Sequence, residues 1–174
     1  EAYAGNNHDT FMGTYLDPVI DFDPSDTVLG TDRCGTADGF SLRWTGQVKA
    51  DPGGTMQFWT YPDDGVRLWV NDVLILDDWT GQGATWTAAD PIDLTNGEWY
   101  DIKLEYYESG GPGAIRLAWG ASQTIIPSTH LRANDITINQ GANDVTVGVA
   151  GYSQNGSAFV GGSGAITVNG AYTL

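Results

Sequence analysis

Tyr61-Pro62-Asp63-Asp64-Gly65-Val66-Arg67-Leu68-Trp69-Val70 sets a turn signal directly before an alternating strand. Pro, Asp and Gly favour turns, while Val66, Leu68 and Val70 fall on one face of an extended chain and Arg67 and Trp69 on the other. The same two-residue alternation recurs on both sides. Upstream, Phe40, Leu42 and Trp44 interleave with Ser41, Arg43 and Thr45, and Met56 and Phe58 follow the turn Asp51-Pro52-Gly53-Gly54. Downstream come the apolar run Val73 to Leu76 and the strand Tyr100, Ile102, Leu104, Tyr106, whose expected partner is Ala114 to Trp119. Helical periodicity is hard to find anywhere. Short strands about ten residues apart, broken by turn residues, predict an all-β antiparallel β-sandwich of jelly-roll type.

Composition agrees. Seven Trp, eight Tyr, five Phe and 24 Gly among 174 residues suit strands and turns rather than a helical bundle. With 22 acidic against seven basic side chains the formal charge is −15. That excludes a phosphate-backbone clamp, which needs clustered Lys and Arg, so neither nucleic acid nor an anionic membrane is an expected partner. No run approaches 18 apolar residues, so no membrane insertion is expected. Carboxylate excess suits hard cations with oxygen ligands, and calcium is the first to consider. Cys34 is the single thiol, leaving no intrachain disulfide and no cysteine metal site. Acidity, few lysines and abundant Thr, Asn and Gly lean towards an extracellular or cell-surface setting.

Composition shifts near Ala133. From there no Lys or Arg remains and the last carboxylate is Asp144. A loose repeat links Asn134-Asp135-Ile136-Thr137-Ile138 to Asn143-Asp144-Val145-Thr146-Val147, with an echo in Ile166-Thr167-Val168. The reading divides the chain into 1–132, the sandwich with its N-terminal segment, and 133–174, an additional C-terminal β-strand segment packed on its own domain or donated to a neighbouring copy.

Asp63 and Asp64 carry the candidate chemistry. In ordinary extended backbone adjacent side chains face opposite ways, so both reach one ion only if the chain bends between them, and a cis peptide is one such bend. Asp-Asp-Gly also makes a plain turn without metal, the commoner outcome on spacing alone. Asp77-Asp78 reads as a turn. Asp21-Phe22-Asp23-Pro24-Ser25-Asp26 lacks the sixth-position glycine and twelfth-position glutamate of a calcium loop and reads as a structured N-terminal loop. His8 and His130 are far apart, and no nucleophile-elbow, zinc-protease or phosphate-loop pattern occurs, so no enzyme is expected.

From about Gly13 to Leu131 the chain resembles the protective-antigen fourteen-kilodalton domain family. The resemblance is carried by Phe40-Ser41-Leu42-Arg43-Trp44-Thr45-Gly46, Pro62-Asp63-Asp64-Gly65-Val66-Arg67-Leu68-Trp69-Val70, Asp77-Asp78-Trp79, Ile102 to Glu108, Ala114 to Trp119 and Ile126-Pro127-Ser128. It implies a β-sandwich in which, among lectin members, a cis-linked aspartate pair binds calcium and the ion ligates sugar hydroxyls. Carried over, Asp63 and Asp64 are the calcium carboxylates. The loop that completes such sites reads Glu108-Ser109-Gly110-Gly111-Pro112-Gly113 here and has no Asn or Gln, so Ser109, Gly110 and Gly111 are the expected oxygen donors. Asp63, Asp64, Glu108 and Ser109 are the expected sugar contacts, with Trp79 the favoured stacking platform for glycans.

The expected function is a calcium-dependent carbohydrate-binding module of a cell-surface adhesin. The alternative is a structural subunit that self-associates into an extracellular fibre by exchanging strands, supplied by 135–174 or by the segment Glu1 to Thr10.

Overall fold

The structure, a computed structural model, describes residues 1–23, 28–134, 136–138 and 145–147. The chain divides into two compact units, 1–132 and 133–174. In chain order the first holds β1 (Ala2–Ala4), β2 (Thr10–Gly13), β3 (Asp21–Phe22), α1 (Val28–Cys34), β4 (Phe40–Lys49), β5 (Gly54–Met56), β6 (Phe58–Thr60) and β7 (Gly65–Val70). It continues with β8 (Val73–Asp78), β9 (Thr87–Ala88), β10 (Ile92–Leu94), β11 (Trp99–Glu108), β12 (Ile115–Trp119), β13 (Thr124–Ile125) and β14 (Leu131–Arg132).

Two antiparallel sheets form the sandwich. The larger runs β2-β1-β4-β11-β7-β8, with β14 also on β4; the smaller runs β13-β12-β6-β9, with β3 on β12. A separate pair joins β5 to β10. Alternation sorts each strand's side chains as expected. Leu42, Val66, Leu68, Val70, Ile102, Leu104 and Tyr106 of the larger sheet are buried, as are Phe58, Ile115 and Leu117 of the smaller. Each such side chain withdrawn from water contributes about 1.5–3 kcal/mol before ordering costs.

Several local expectations are corrected, first the pairing of Tyr100–Tyr106 with Ala114–Trp119: β11 pairs with β4 and β7, and β12 lies in the other sheet on β6. Glu1 to Thr10 is not free for a neighbouring copy: Ala2–Ala4 pairs with Phe40–Leu42 of its own sheet, and the Glu1 ammonium donates to the Arg43 carbonyl. Asp77 and Asp78 end strand β8 rather than making a turn, because Arg67 lies directly opposite Asp77 and binds it at 2.8 Å. A short helix, Val28–Cys34, appears where none was expected, and Cys34 within it is buried. In the N-terminal loop, which was not expected to bind calcium, the described Asp21 and Asp23 both pair with Arg116, at 2.8 and 3.1 Å.

In the second unit, β15 (Ile136–Ile138) and β16 (Val145–Val147) pair antiparallel with each other, Thr137 opposite Thr146. The remaining strands expected there, including Ile166-Thr167-Val168, lie outside the described residues.

Gly65 is explained by the register. It faces Tyr107 across β7 and β11, and a Cβ at this position would come within 2.2 Å of the Tyr107 ring. Gly65→Ala should therefore cost about 1–3 kcal/mol through overpacking, read from urea unfolding. An unchanged midpoint would show that the ring moves aside freely.

Candidate functional site

The turn after Pro62 delivers two carboxylates to the end of the sandwich. The peptide between Asp63 and Asp64 is cis. Backbone bonds fix it on both sides: Asp63 N–H to the Ala114 carbonyl at 2.8 Å, Ala114 N–H back to the Asp63 carbonyl at 3.2 Å, and Asp64 N–H to the Tyr107 carbonyl at 3.2 Å. Beneath them, the Tyr106 hydroxyl donates to the Asp63 carbonyl oxygen and, at 3.2 Å, to Glu108 Oε2.

Glu108 is the third member. It lies on β11 in the same alternation as Leu104 and Tyr106, on the inner face, and is fully buried. Carboxylate oxygens of Asp63, Asp64 and Glu108 lie within 4.8 Å of one another. Such crowding of acids away from water opposes their ionisation. Burial first, then the neighbouring charge of Asp64, push the Glu108 carboxyl up to about 7, against the Gly110 N–H bond that favours its charged form. Burial likewise raises Asp63, with the Asp64 charge adding to it. Burial and the Glu108 charge also raise the Tyr106 hydroxyl, which stays protonated as a donor.

In the Glu108–Gly113 loop, Ser109, Gly110 and Gly111, expected to offer oxygens to an ion, donate hydrogen bonds to carboxylates. Ser109 donates both its N–H, at 2.8 Å, and its hydroxyl, at 2.5 Å, to Asp64 Oδ2. Gly110 N–H binds Glu108 Oε1 at 2.7 Å, and Gly111 N–H reaches Asp38 Oδ1 at 3.2 Å. This loop orients the carboxylates through its N–H groups. Glu108, expected as a sugar contact, is fully buried within the acidic cluster.

Trp79 also departs from expectation. Its ring lies under the Arg67 guanidinium at 4.4 Å, stacks with His8 at 5.9 Å and tilts against Tyr107 at 4.8 Å, while its Nε1–H donates to Asn7 Oδ1 at 3.2 Å. These contacts make it a packing residue of the outer sheet face. Tyr61, two residues before Asp63, packs against Trp86 with 5.1 Å between centroids.

Residues 79–86, between β8 and β9, form a further wall that sequence reading missed. Gln82 N–H binds Asp64 Oδ1 at 3.0 Å and Ala84 N–H binds Asp63 Oδ2 at 3.2 Å. Backbone donors carry no side-chain signature, so no residue pattern announced this contact. Glu108 was within reach, since its parity with Leu104 and Tyr106 places an acid on a core-facing position.

The profile of the PA14 domain matches residues 13–131. This chain belongs to the PA14 domain family. Over 139 residues it is 40% identical to the anti-sigma-I factor RsgI3 of Acetivibrio thermocellus, a match covering 78% of this chain and 21% of that protein. A solved anti-sigma factor domain-containing protein is 38% identical with a TM-score of 0.70, over 80% of this chain and 49% of that one. The PA14 sugar-binding domain from an RTX adhesin is 22% identical, TM-score 0.50, over 67% of this chain and 73% of that one, a likeness of fold alone. This PA14 chain thus spans about a fifth of the curated relative and half of the solved one.

These findings overturn the expectation of an adhesin module or fibre subunit, because the relatives at 38–40% identity are anti-sigma factors. The two relatives at 38–40% identity carry anti-sigma-factor names, and neither name describes a catalytic activity. No helix among the described residues is long and apolar enough to cross a membrane.

Proposed function

We propose that this PA14 domain is the ligand-sensing part of a larger anti-sigma-factor-like regulator, and that it binds carbohydrate through a calcium ion held by Asp63, Asp64 and Glu108. The observation that carries this reading is the convergence of three carboxylates within 4.8 Å, one fully buried. A divalent cation offsets both the burial and the mutual repulsion that raise Asp63 and Glu108, so the residues present fit one. The donor set is oxygen only, with no His or Cys in the cluster, which suits calcium over a transition metal. When bound, the ion supplies open coordination for sugar hydroxyls; the chain's own groups hold the carboxylates in place through Ser109, Gln82 and Ala84. A sensing face outside the cell would meet millimolar calcium, the range in which extracellular modules bind it.

Calcium at a hundredfold over its Kd should raise the melting temperature by roughly 10 °C, since binding to the native state alone stabilises by mass action. No rise, or an equal rise in an Asp63→Ala, Asp64→Ala variant, sinks the metal site. An array of neutral and uronate oligosaccharides, probed with calcium and with chelator, tests the second half. Binding that survives chelation, or none while calcium is bound, removes the carbohydrate reading.

A further inference from the structure

The outer face of the larger sheet concentrates the chain's few cations. Antiparallel register lines its outward positions up in rows, one at every second residue and so about 7 Å apart along the strands. Lys49 stands with Trp99, Arg132 with Gln47 and Asp101, Lys103 with Thr45 and Trp69, and Arg43 and Arg67 with Glu105 and Asp77. This face thus holds five of the chain's seven basic residues and, among the described residues, three of its 22 carboxylates. The last row is neutral in itself, since Glu105 and Asp77 answer Arg43 and Arg67. The other three rows are not. Lys103 reaches Glu105 only at 4.0 Å, and among the described residues Lys49 and Arg132 make no ion pair. Arg132 donates instead to the Gln47 amide oxygen, at 2.8 and 2.5 Å, while Gln47 Nε2 holds Asp101 at 2.9 Å.

Two of these cations rest on indole faces: Lys103 Nζ lies 3.6 Å from the centre of the Trp69 ring, and the Arg132 guanidinium 4.2 Å from that of Trp99. Charges held in place in this way lose less freedom when a partner arrives. The same contacts cover the indole faces, so it is the charges that are offered. In a chain of formal charge −15, three cations in successive rows mark out a place for negative charge. An extended polypeptide laid along the strands turns every second side chain to one side, with the same repeat of about 7 Å. We infer that this face docks an extended acidic segment of a partner protein, whose alternate carboxylates meet the cations of successive rows. The chain's own C-terminal segment does not supply it, because after Arg132 the only acids are Asp135 and Asp144, which do not alternate. Along β11, Lys103 is about 17 Å from Glu108. The surface is therefore separate from the candidate calcium site and works without calcium.

The probe is a labelled synthetic peptide of alternating Glu and Thr, followed by fluorescence anisotropy with the full chain and chelator. Salt of about 0.1 M screens the repulsion of the distant acids, beyond about 10 Å, and leaves direct contacts. Expected is saturable binding that falls about two- to fivefold in each of Lys49→Gln, Lys103→Met and Arg132→Gln, and at least about tenfold when the three are combined. The calcium-induced melting shift should keep its wild-type size in all of them. A peptide of the same composition with its Glu residues in one block should bind several-fold more weakly. Equal binding of the block peptide, or of the alternating peptide to the wild type and the triple variant, overturns the inference. So does a polyuronate that binds through these three residues where the alternating peptide does not. Sedimentation of the wild type as a dimer that the triple variant abolishes also overturns it, since the occupant would then be a second copy.

Discussion

In chelator at about pH 8, Glu108→Gln is expected to be more stable than the wild-type chain and to have lost most of its response to calcium. The reason is the sign of the Glu108 shift. Its carboxyl is raised in the folded chain from 4.5 to about 7. Between those values the native state keeps a proton that the unfolded chain has released, so stability falls as pH rises through the window and the loss is complete above about 7. The unfavourable difference amounts to about 3 kcal/mol at most. Glutamine is neutral at every pH, and its amide oxygen still accepts from Gly110 N–H. Compared with wild type, so that the other groups titrating in this window cancel, the variant's urea midpoint should rise from about pH 5 to pH 8. Calcium should restore the wild type and do little for the variant. A variant less stable than wild type in chelator at the higher pH would mean that Glu108 is comfortably ionised without a cation.

The strands around this site were legible because one of their faces is uniformly apolar. In β7 and β11 the inward positions Val66, Leu68, Leu104 and Tyr106 alternate without interruption, and a register slip would turn them all to water. Strand β1 carries no such pattern: Ala2 and Ala4 are too small to mark a face, and only pairing with Phe40–Leu42 orders them. Asp77 and Asp78 misled because turn preference is a local property, whereas Arg67 opposite Asp77 is a tertiary one. At the site, Asp63 and Asp64 stood out as adjacent acids before a strand. Ser109 was singled out for its oxygen yet serves as a double donor, and Gln82 and Ala84 act largely through backbone N–H groups that any residue supplies. The likeness to anti-sigma factors could not be read at all from these residues, because a sandwich with an acidic loop is compatible with adhesins, enzymes and regulators alike.

Glu105→Ala is expected to cost about 3 kcal/mol, more than a surface ion pair could explain. Glu105 sits on the outer face of the larger sheet, yet is only 6% exposed. Across the strands it lies between Arg43 on β4 and Arg67 on β7, and Arg67 continues to Asp77 on β8. Arg43 binds Glu105 Oε1 at 2.9 Å, while Arg67 and Lys103 approach it at 3.9 and 4.0 Å. Removing this carboxylate leaves three cations around an empty position. They are not free to swing away, since each rests on an aromatic ring: Arg43 at Tyr3, Arg67 over Trp79 and Lys103 over Trp69. Their side chains are about a third exposed, so solvent softens the penalty towards the lower end of what a broken buried pair costs. Glu105→Gln, which keeps the shape and one acceptor, should lose less. Because the Arg43 contact is the shortest of the three, Arg43→Ala combined with Glu105→Ala should cost clearly less than the two single changes together, a coupling readable in a double-mutant cycle by urea unfolding. Strict additivity would show that Glu105 is held by packing alone, and the charge ladder across the outer face would then contribute nothing to the sheet that carries the site.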